Sequence, residues 1–295
     1  MLYPAELRAR VAGCVAAARP WSQLRRVALV MLVMALVRAG GAAGEASSDA
    51  DWRMHGPFEV VGLSEELHLR LADGRMVRLA GVVVPSSPES SSPESSAGGP
   101  PVWRPRAEVV RAVGDWLEVH GAVRLIHADA PYDRAGRVVA QVEAADGDWL
   151  QARLVRDGLV WVRPDLQTKD DALRLLPLER EARAAGRGIW RAGGAGVVDA
   201  ADAEAVEARV GRYGVVRGRV RHAQDARRYV YLNFGADWRT DPTLRLPHDT
   251  AKAMRQAGRD PLDLQGSTIE ARGWIFEENG PMIEIGDGLE IEVVR

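Results

Sequence analysis

The stretch Leu69-Arg-Leu-Ala-Asp-Gly-Arg-Met-Val-Arg-Leu-Ala-Gly81 constrains the fold more than any other part of the chain. Leucine, methionine and valine alternate with arginine on either side of Asp73-Gly74. A period of two marks a strand with one buried face, and Asp-Gly between two such runs marks a hairpin turn. Strand-like alternation covers the whole of 58–84, beginning with Phe58-Glu-Val-Val and resuming at Leu67-His-Leu-Arg-Leu. A chain with this beginning folds around a small antiparallel sheet.

Apolar residues at Val109, Val110, Val113 and Leu117 predict a helix over 106–119. Strands follow at 122–127 and 137–143, joined by a turn at Asp133-Arg-Ala-Gly136. The patterns at 148–157 and 170–186 are helical, and Gly186 reads as the C-terminal cap of the second. Residues 86–101, which hold the duplicated tract Ser-Ser-Pro-Glu-Ser and then Ala97-Gly-Gly-Pro-Pro101, are expected to form a mobile loop. Residues 192–204, rich in Ala and Gly at their start, read as a linker. From 205 to 295 the pattern is strand-rich again, with candidates at Val215–Val220, Arg228–Phe234, Thr243–Leu246, Thr268–Phe276, Met282–Ile285 and Leu289–Val294. One helix is expected at 249–257. The expectation is an α+β, mainly β chain: a five-stranded OB-type barrel with flanking helices in 47–191, then a second small closed OB-like barrel in 205–295.

With 295 residues there is room for two domains beyond a targeting segment. Apolar residues make up 46% and charged residues 27%, which excludes a collagen-like, wholly disordered or multi-span membrane chain. Lys+Arg 39 against Asp+Glu 41 excludes a globally basic nucleic-acid binder but leaves room for a local basic face. The only cysteine is Cys14, so disulfide frameworks, Cys-based zinc sites and a cysteine nucleophile are excluded from the body of the protein. The basic residues around Arg25-Arg26, the eleven apolar residues Val27–Val37 and the small-residue stretch Ala39–Gly44 read as a signal peptide over 1–46. As a helix the apolar run reaches about 16 Å, half of a bilayer core. The expected location is the periplasm or the medium, with no span in the mature chain; the alternative is an uncut membrane anchor.

Residues 58–190 resemble the staphylococcal nuclease (thermonuclease-like) family. The resemblance is carried by the 69–81 hairpin, by Asp133-Arg-Ala-Gly-Arg137, by Leu154-Val-Arg-Asp-Gly-Leu-Val160, and by Glu179-Arg-Glu-Ala-Arg-Ala-Ala-Gly-Arg-Gly-Ile-Trp190. It implies an OB barrel and calcium-dependent hydrolysis of DNA and RNA phosphodiesters. Two arginines brace the phosphate in that chemistry, and the resemblance places them at Arg78 and Arg137. It places the metal-binding aspartates at Leu67 and Val83, the general-base glutamate at Ser86 and the aromatic of the turn at Ala135. The expected calcium site is therefore lost while both arginines stay, and neither a metal nor another cofactor is expected. Glu65, Glu66 and Glu89 lie near the lost positions, but catalysis needs placement within about 0.5 Å. His55, His68, His120, His127, His222 and His248 show no metal-ligand spacing and read as ordinary surface or strand residues. Arg78 and Arg137 have a second reading, as ion-pair partners of local carboxylates such as Asp133.

In 205–295, the aromatics Tyr229, Tyr231, Phe234 and Trp238 lie among Arg219, Arg221, Arg227, Arg228 and Arg239. Arg227, Arg228, Tyr231 and Trp238 are the candidates for a stacking and phosphate surface on single strands. The alternative is that half of these aromatics are core, since Tyr229, Tyr231 and, with a slip, Phe234 alternate as core residues do. The sequence thus points to an exported, catalytically inactive binding protein with a single-stranded nucleic acid or an envelope protein as partner. The alternatives are an active phosphodiesterase with a rearranged site and a structural envelope protein.

Overall fold

In the computed structural model, residues 53–64, 66–85, 105–127, 131–164, 168–191, 196–237 and 239–294 are described. The signal segment, the 86–101 loop with Ser86 and Glu89, Glu65, Trp238 and part of the linker lie outside them.

Five strands close a barrel in the order β1 (Arg53–Leu63), β2 (Leu69–Leu71), β3 (Met76–Leu79), β6 (Val138–Ala144) and β5 (Ala122–His127). The long β1 closes it by pairing with β5 through its first half and with β2 through its second. β3 and β6 run parallel, with Arg78 opposite Val139. Alternation in β2 and β3 sends Leu69, Leu71, Val77 and Leu79 into the interior. α1 (Pro105–His120) packs Val109, Val113, Trp116 and Leu117 into the same core and leaves Val110 outside. α2 (Leu150–Arg156) and α3 (Lys169–Ala184) follow β6, and Gly186, with φ +59°, ends α3 as its sequence predicts. Between α2 and α3 the two-residue β7 (Trp161–Val162) pairs with β4 (Val82–Val83).

The expected strand start at Leu67 is corrected by the structure. The Ser64 hydroxyl accepts hydrogen bonds from the Glu66 and His68 N–H groups, at 3.2 and 3.1 Å, and closes a turn. Leu67 takes φ 64° within it and is buried.

The second sheet has eight strands. β8 (Val198–Asp199), β9 (Tyr213–Arg219), β13 (Thr268–Glu277), β14 (Pro281–Glu284), β12 (Thr243–Pro247), β11 (Tyr229–Asn233) and β10 (His222–Asp225) lie side by side, and β15 (Ile291–Val293) pairs with β13. α4 (Ala203–Glu207) precedes β9, and α5 (His248–Gln256) follows β12. This sheet is barrel-like but not closed. β9 and β10 are consecutive stretches of chain separated by Val220-Arg221; one pairs with β13 and the other with β11. The interruption is why the expected closed ring is not completed by hydrogen bonds. β7, β8 and β10 were not legible as strands, because two to four residues carry too little alternation to register.

The two halves meet along a buried seam. Trp161, Ile189, Tyr213 and Val215 form its buried core, with Val83, Trp190 and Val197 packed against them. Arg272 of β13 donates to Glu179 of α3 at 2.8 Å with both side chains almost fully buried. The Glu179 carboxylate also accepts from the Val162 N–H at 2.7 Å. The Val162 carbonyl accepts from the Tyr213 hydroxyl at 3.2 Å and from Arg272 at 3.1 Å. Farther along, Glu270 of β13 pairs with Arg183 of α3 and with Arg217 of β9. Lys169 reaches Asp287 at 3.3 Å. Beside that pair, Glu290 accepts from the Gly286 and Asp287 N–H groups, and burial pushes its carboxyl up to about 7. No helix among the described residues is long and apolar enough to cross a membrane.

Candidate phosphate-binding cleft

The turn Asp133–Arg137 is locked by its own first residue. The Asp133 Oδ1 accepts from the Ala135 and Arg137 N–H groups at 2.9 and 3.1 Å. The Gly136 N–H donates to the Asp133 carbonyl at 2.9 Å, and Gly136 supplies the φ of +73° that the turn needs. This folds the Arg137 side chain back so that its Nε donates to Asp133 Oδ2 at 2.8 Å. Arg78 comes from β3, where alternation faces it away from buried Val77 and Leu79, and its Nε lies 3.4 Å from the same carboxylate oxygen. One carboxylate therefore serves two guanidinium groups. Burial opposes the charge on Asp133, but the hydrogen bonds from Arg137 and Ala135 outweigh it and hold the carboxyl below its usual range.

His68 joins this cluster from the Ser64–His68 turn. Arg137 Nη1 lies 3.2 Å from His68 Nε2. A guanidinium only donates, so Nε2 accepts, and the proton of the neutral ring sits on Nδ1, 3.4 Å from the Ser64 hydroxyl. Burial, followed by the neighbouring Arg137, lowers the pKa of His68. Its expected role as an ordinary surface or strand histidine is corrected: it is buried and contacts Arg137.

These groups line a cleft of about 800 Å³. Among the described residues on its walls, Arg78, Arg134, Arg137 and Arg163 outnumber Glu66 and Asp133, an excess of two positive charges. Val82, Val83 and Val84 form the apolar wall, and Trp274 of β13 reaches in from the second sheet.

Among the described residues, the carboxylates that line the cleft are Glu66 and Asp133. Calcium takes six to eight oxygen ligands, several of them carboxylate. Leu67 points into the core, Val83 packs into the seam opposite Trp161, and Asp133 is engaged by two arginines. The Glu66 carboxylate accepts from the Ser64 hydroxyl at 3.1 Å and is exposed. Among the described residues, no group of three His, Cys, Asp or Glu side chains is placed to hold a metal ion.

The second set of candidates lies elsewhere. Arg227 and Arg228 are exposed just before β11, while Tyr231 is half-buried on its outer face. Tyr231 packs on the edge of Tyr229, whose ring carries Arg245 at 4.9 Å, and Phe276 covers that same arginine at 4.7 Å. Arg245 is bound by Glu284 at 2.7 Å and by Glu278 at 2.6 Å. Of the three aromatics read alternatively as core, Phe234 is core, whereas Tyr229 and Tyr231 are half-buried on the outer face, opposite buried Val230 and Leu232.

A closed five-stranded barrel with flanking helices defines an OB-like fold, here with two arginines drawn to the acid of one turn beside its parallel strand pair. The sequence model of the staphylococcal nuclease homologue family matches residues 77–192. β1 and β2 precede the matched segment yet complete its barrel, and 205–295 lies beyond it. No curated protein matches the chain.

Proposed function

We propose that this is an exported nuclease-family protein that binds nucleic acid through phosphate contacts at Arg78 and Arg137 and does not hydrolyse it with calcium. One observation carries the reading. The two arginines converge on Asp133 in a cleft with excess positive charge, while the residues standing at the metal positions, Leu67 and Val83, are apolar and packed. A guanidinium pair can hold several phosphate oxygens at once, so binding survives a change that removes the groups needed to activate water. Export rests on the Val27–Val37 run and its flanks, and mass spectrometry of the mature N-terminus checks it.

The functional test incubates the protein with single- and double-stranded DNA and RNA, in calcium and in chelator. The expected result is no calcium-stimulated cleavage and no rise in melting temperature with calcium. Oligonucleotide binding should weaken as salt rises and fall at least about tenfold in the Arg78→Ala/Arg137→Ala variant. Calcium-dependent cleavage that Arg137→Ala abolishes would establish the hydrolase alternative instead.

A further inference from the structure

Trp274 is out of keeping with its strand. Every other residue of β13 from Ile269 to Ile275 is buried, whereas Trp274 is 52% exposed. Side chains on a strand alternate, so Glu270, Arg272 and Trp274 share a face. The first two are spent on the seam, Glu270 on Arg183 and Arg272 on Glu179. The third continues the same face beyond the seam's end and emerges in the cleft that holds Arg78 and Arg137.

The indole is held in place. Tyr213 packs its ring against Trp274 at 5.9 Å with an interplanar angle of 78°, so the contact is edge to face. Tyr213 is itself fixed by its hydroxyl on the Val162 carbonyl, and Val162 belongs to β7, whose partner β4 forms a wall of the cleft. The aromatic surface is thus joined to the apolar wall of the cleft through one short path. An exposed, positioned aromatic opposite a cationic wall suits a ligand that carries anionic groups and flat apolar faces in alternation. A duplex keeps the faces of its bases stacked inside, where a lone indole cannot reach them. A single strand offers both at once.

We propose that Trp274 is a stacking platform for a base of a single-stranded nucleic acid whose backbone phosphate is held at Arg78 and Arg137, so that the two halves of the protein grip one ligand. The proposal rests on the phosphate reading above and adds the class of strand and the residue that selects it.

The test titrates the full chain against a labelled dT oligomer and an abasic oligomer of the same length, by fluorescence anisotropy at low salt. Trp274→Ala should weaken dT binding at least about fivefold and leave abasic binding unchanged, because stacking is lost and phosphate contact is not. Trp274→Phe should stay within about twofold of wild type on dT, since a flat ring remains. Melting curves for both variants show that the fold is kept. Trp274→Ala binding dT as tightly as wild type, or losing dT and abasic oligomers equally, overturns the stacking role. If wild type binds dT through Trp274 but fails to bind the abasic oligomer, the phosphate reading falls and the stacking role stands. If neither oligomer binds wild type, both fall.

Discussion

In the first barrel β3 runs parallel to β6, and in the second sheet β12 runs parallel to β14. Each pair carries an arginine at the same step, Arg78 between buried Val77 and Leu79, and Arg245 between buried Leu244 and Leu246. The strand beside each in space is reached through a helix and another strand, α1 and β5 in one half and α5 and β13 in the other. The surroundings differ. Arg78 shares the single carboxylate of Asp133 with Arg137, whereas Arg245 alone takes both Glu278 and Glu284 and is covered by Tyr229 and Phe276. One topology therefore delivers an arginine to the same place twice, and the neighbouring acids, Asp133 on a turn in one half and Glu278 and Glu284 at a turn and on β14 in the other, decide the outcome. The first site carries a surplus positive charge that suits an anion, and the second is a closed structural ion cluster.

The largest effect that would break this comparison lies between the halves. Arg272→Ala leaves the Glu179 carboxylate buried without its cation and should cost about 3–5 kcal/mol in urea unfolding. The paired apolar replacement Glu179→Leu/Arg272→Leu should recover part of that loss, since a buried ion pair contributes little net stability beyond a packed apolar pair but the Val162 N–H loses its acceptor. A loss below about 1 kcal/mol for Arg272→Ala would mean that the apolar seam alone joins two independent units.

A smaller effect is pH-dependent and belongs to the same joint. The Glu290 carboxyl is raised in the fold to about 7, so the folded protein holds a proton there that the unfolded chain has released. Its contribution to stability is present below the ordinary glutamate range and is lost as pH rises through about 7. Unfolding free energy should fall by about 2–3 kcal/mol from this group between pH 4.5 and 8, and Glu290→Gln should flatten that slope. An unchanged slope in the variant would remove Glu290 as its source.

The smallest effect sharpens the contrast between the two arginines. Glu278→Gln/Glu284→Gln gives Arg245 the surplus charge that Arg78 enjoys. Oligonucleotide binding at low salt should rise about two- to threefold, with stability changing by less than about 1 kcal/mol because both carboxylates are largely exposed. No gain in binding would mean that Tyr229 and Phe276, rather than the acids, seal the second position.

Local order was legible wherever neighbours in sequence settle it. The 69–81 hairpin, the Asp133–Arg137 turn and the cap at Gly186 follow from side chains within a few residues of one another. The convergence of Arg78 and Arg137 was reached through family resemblance, and parallel pairing of β3 with β6 supplies its physical cause. His68 escaped because its partner Arg137 lies 69 residues away and no spacing rule links a histidine to an arginine. Its neighbour Leu67 escaped because a buried leucine at positive φ defies local preference and is imposed by the Ser64 hydroxyl. Trp274 was hidden for another reason. Its strand reads correctly, but which of two alternating faces ends in a cleft depends on where the other half of the molecule stops.

The peptide of Val162 carries one further consequence. Its N–H and carbonyl together engage Glu179, Tyr213 and Arg272, and its strand forms one layer behind the cleft wall. Prising the halves apart would break the Tyr213 and Arg272 bonds to the Val162 carbonyl and the Arg272–Glu179 pair together, so the width of the cleft is set before any ligand arrives. Capture should then follow a single kinetic phase, with a rate that rises linearly with ligand concentration and shows no plateau from a slow opening step. The amide of Val162 should be among the last in the molecule to exchange its hydrogen for deuterium.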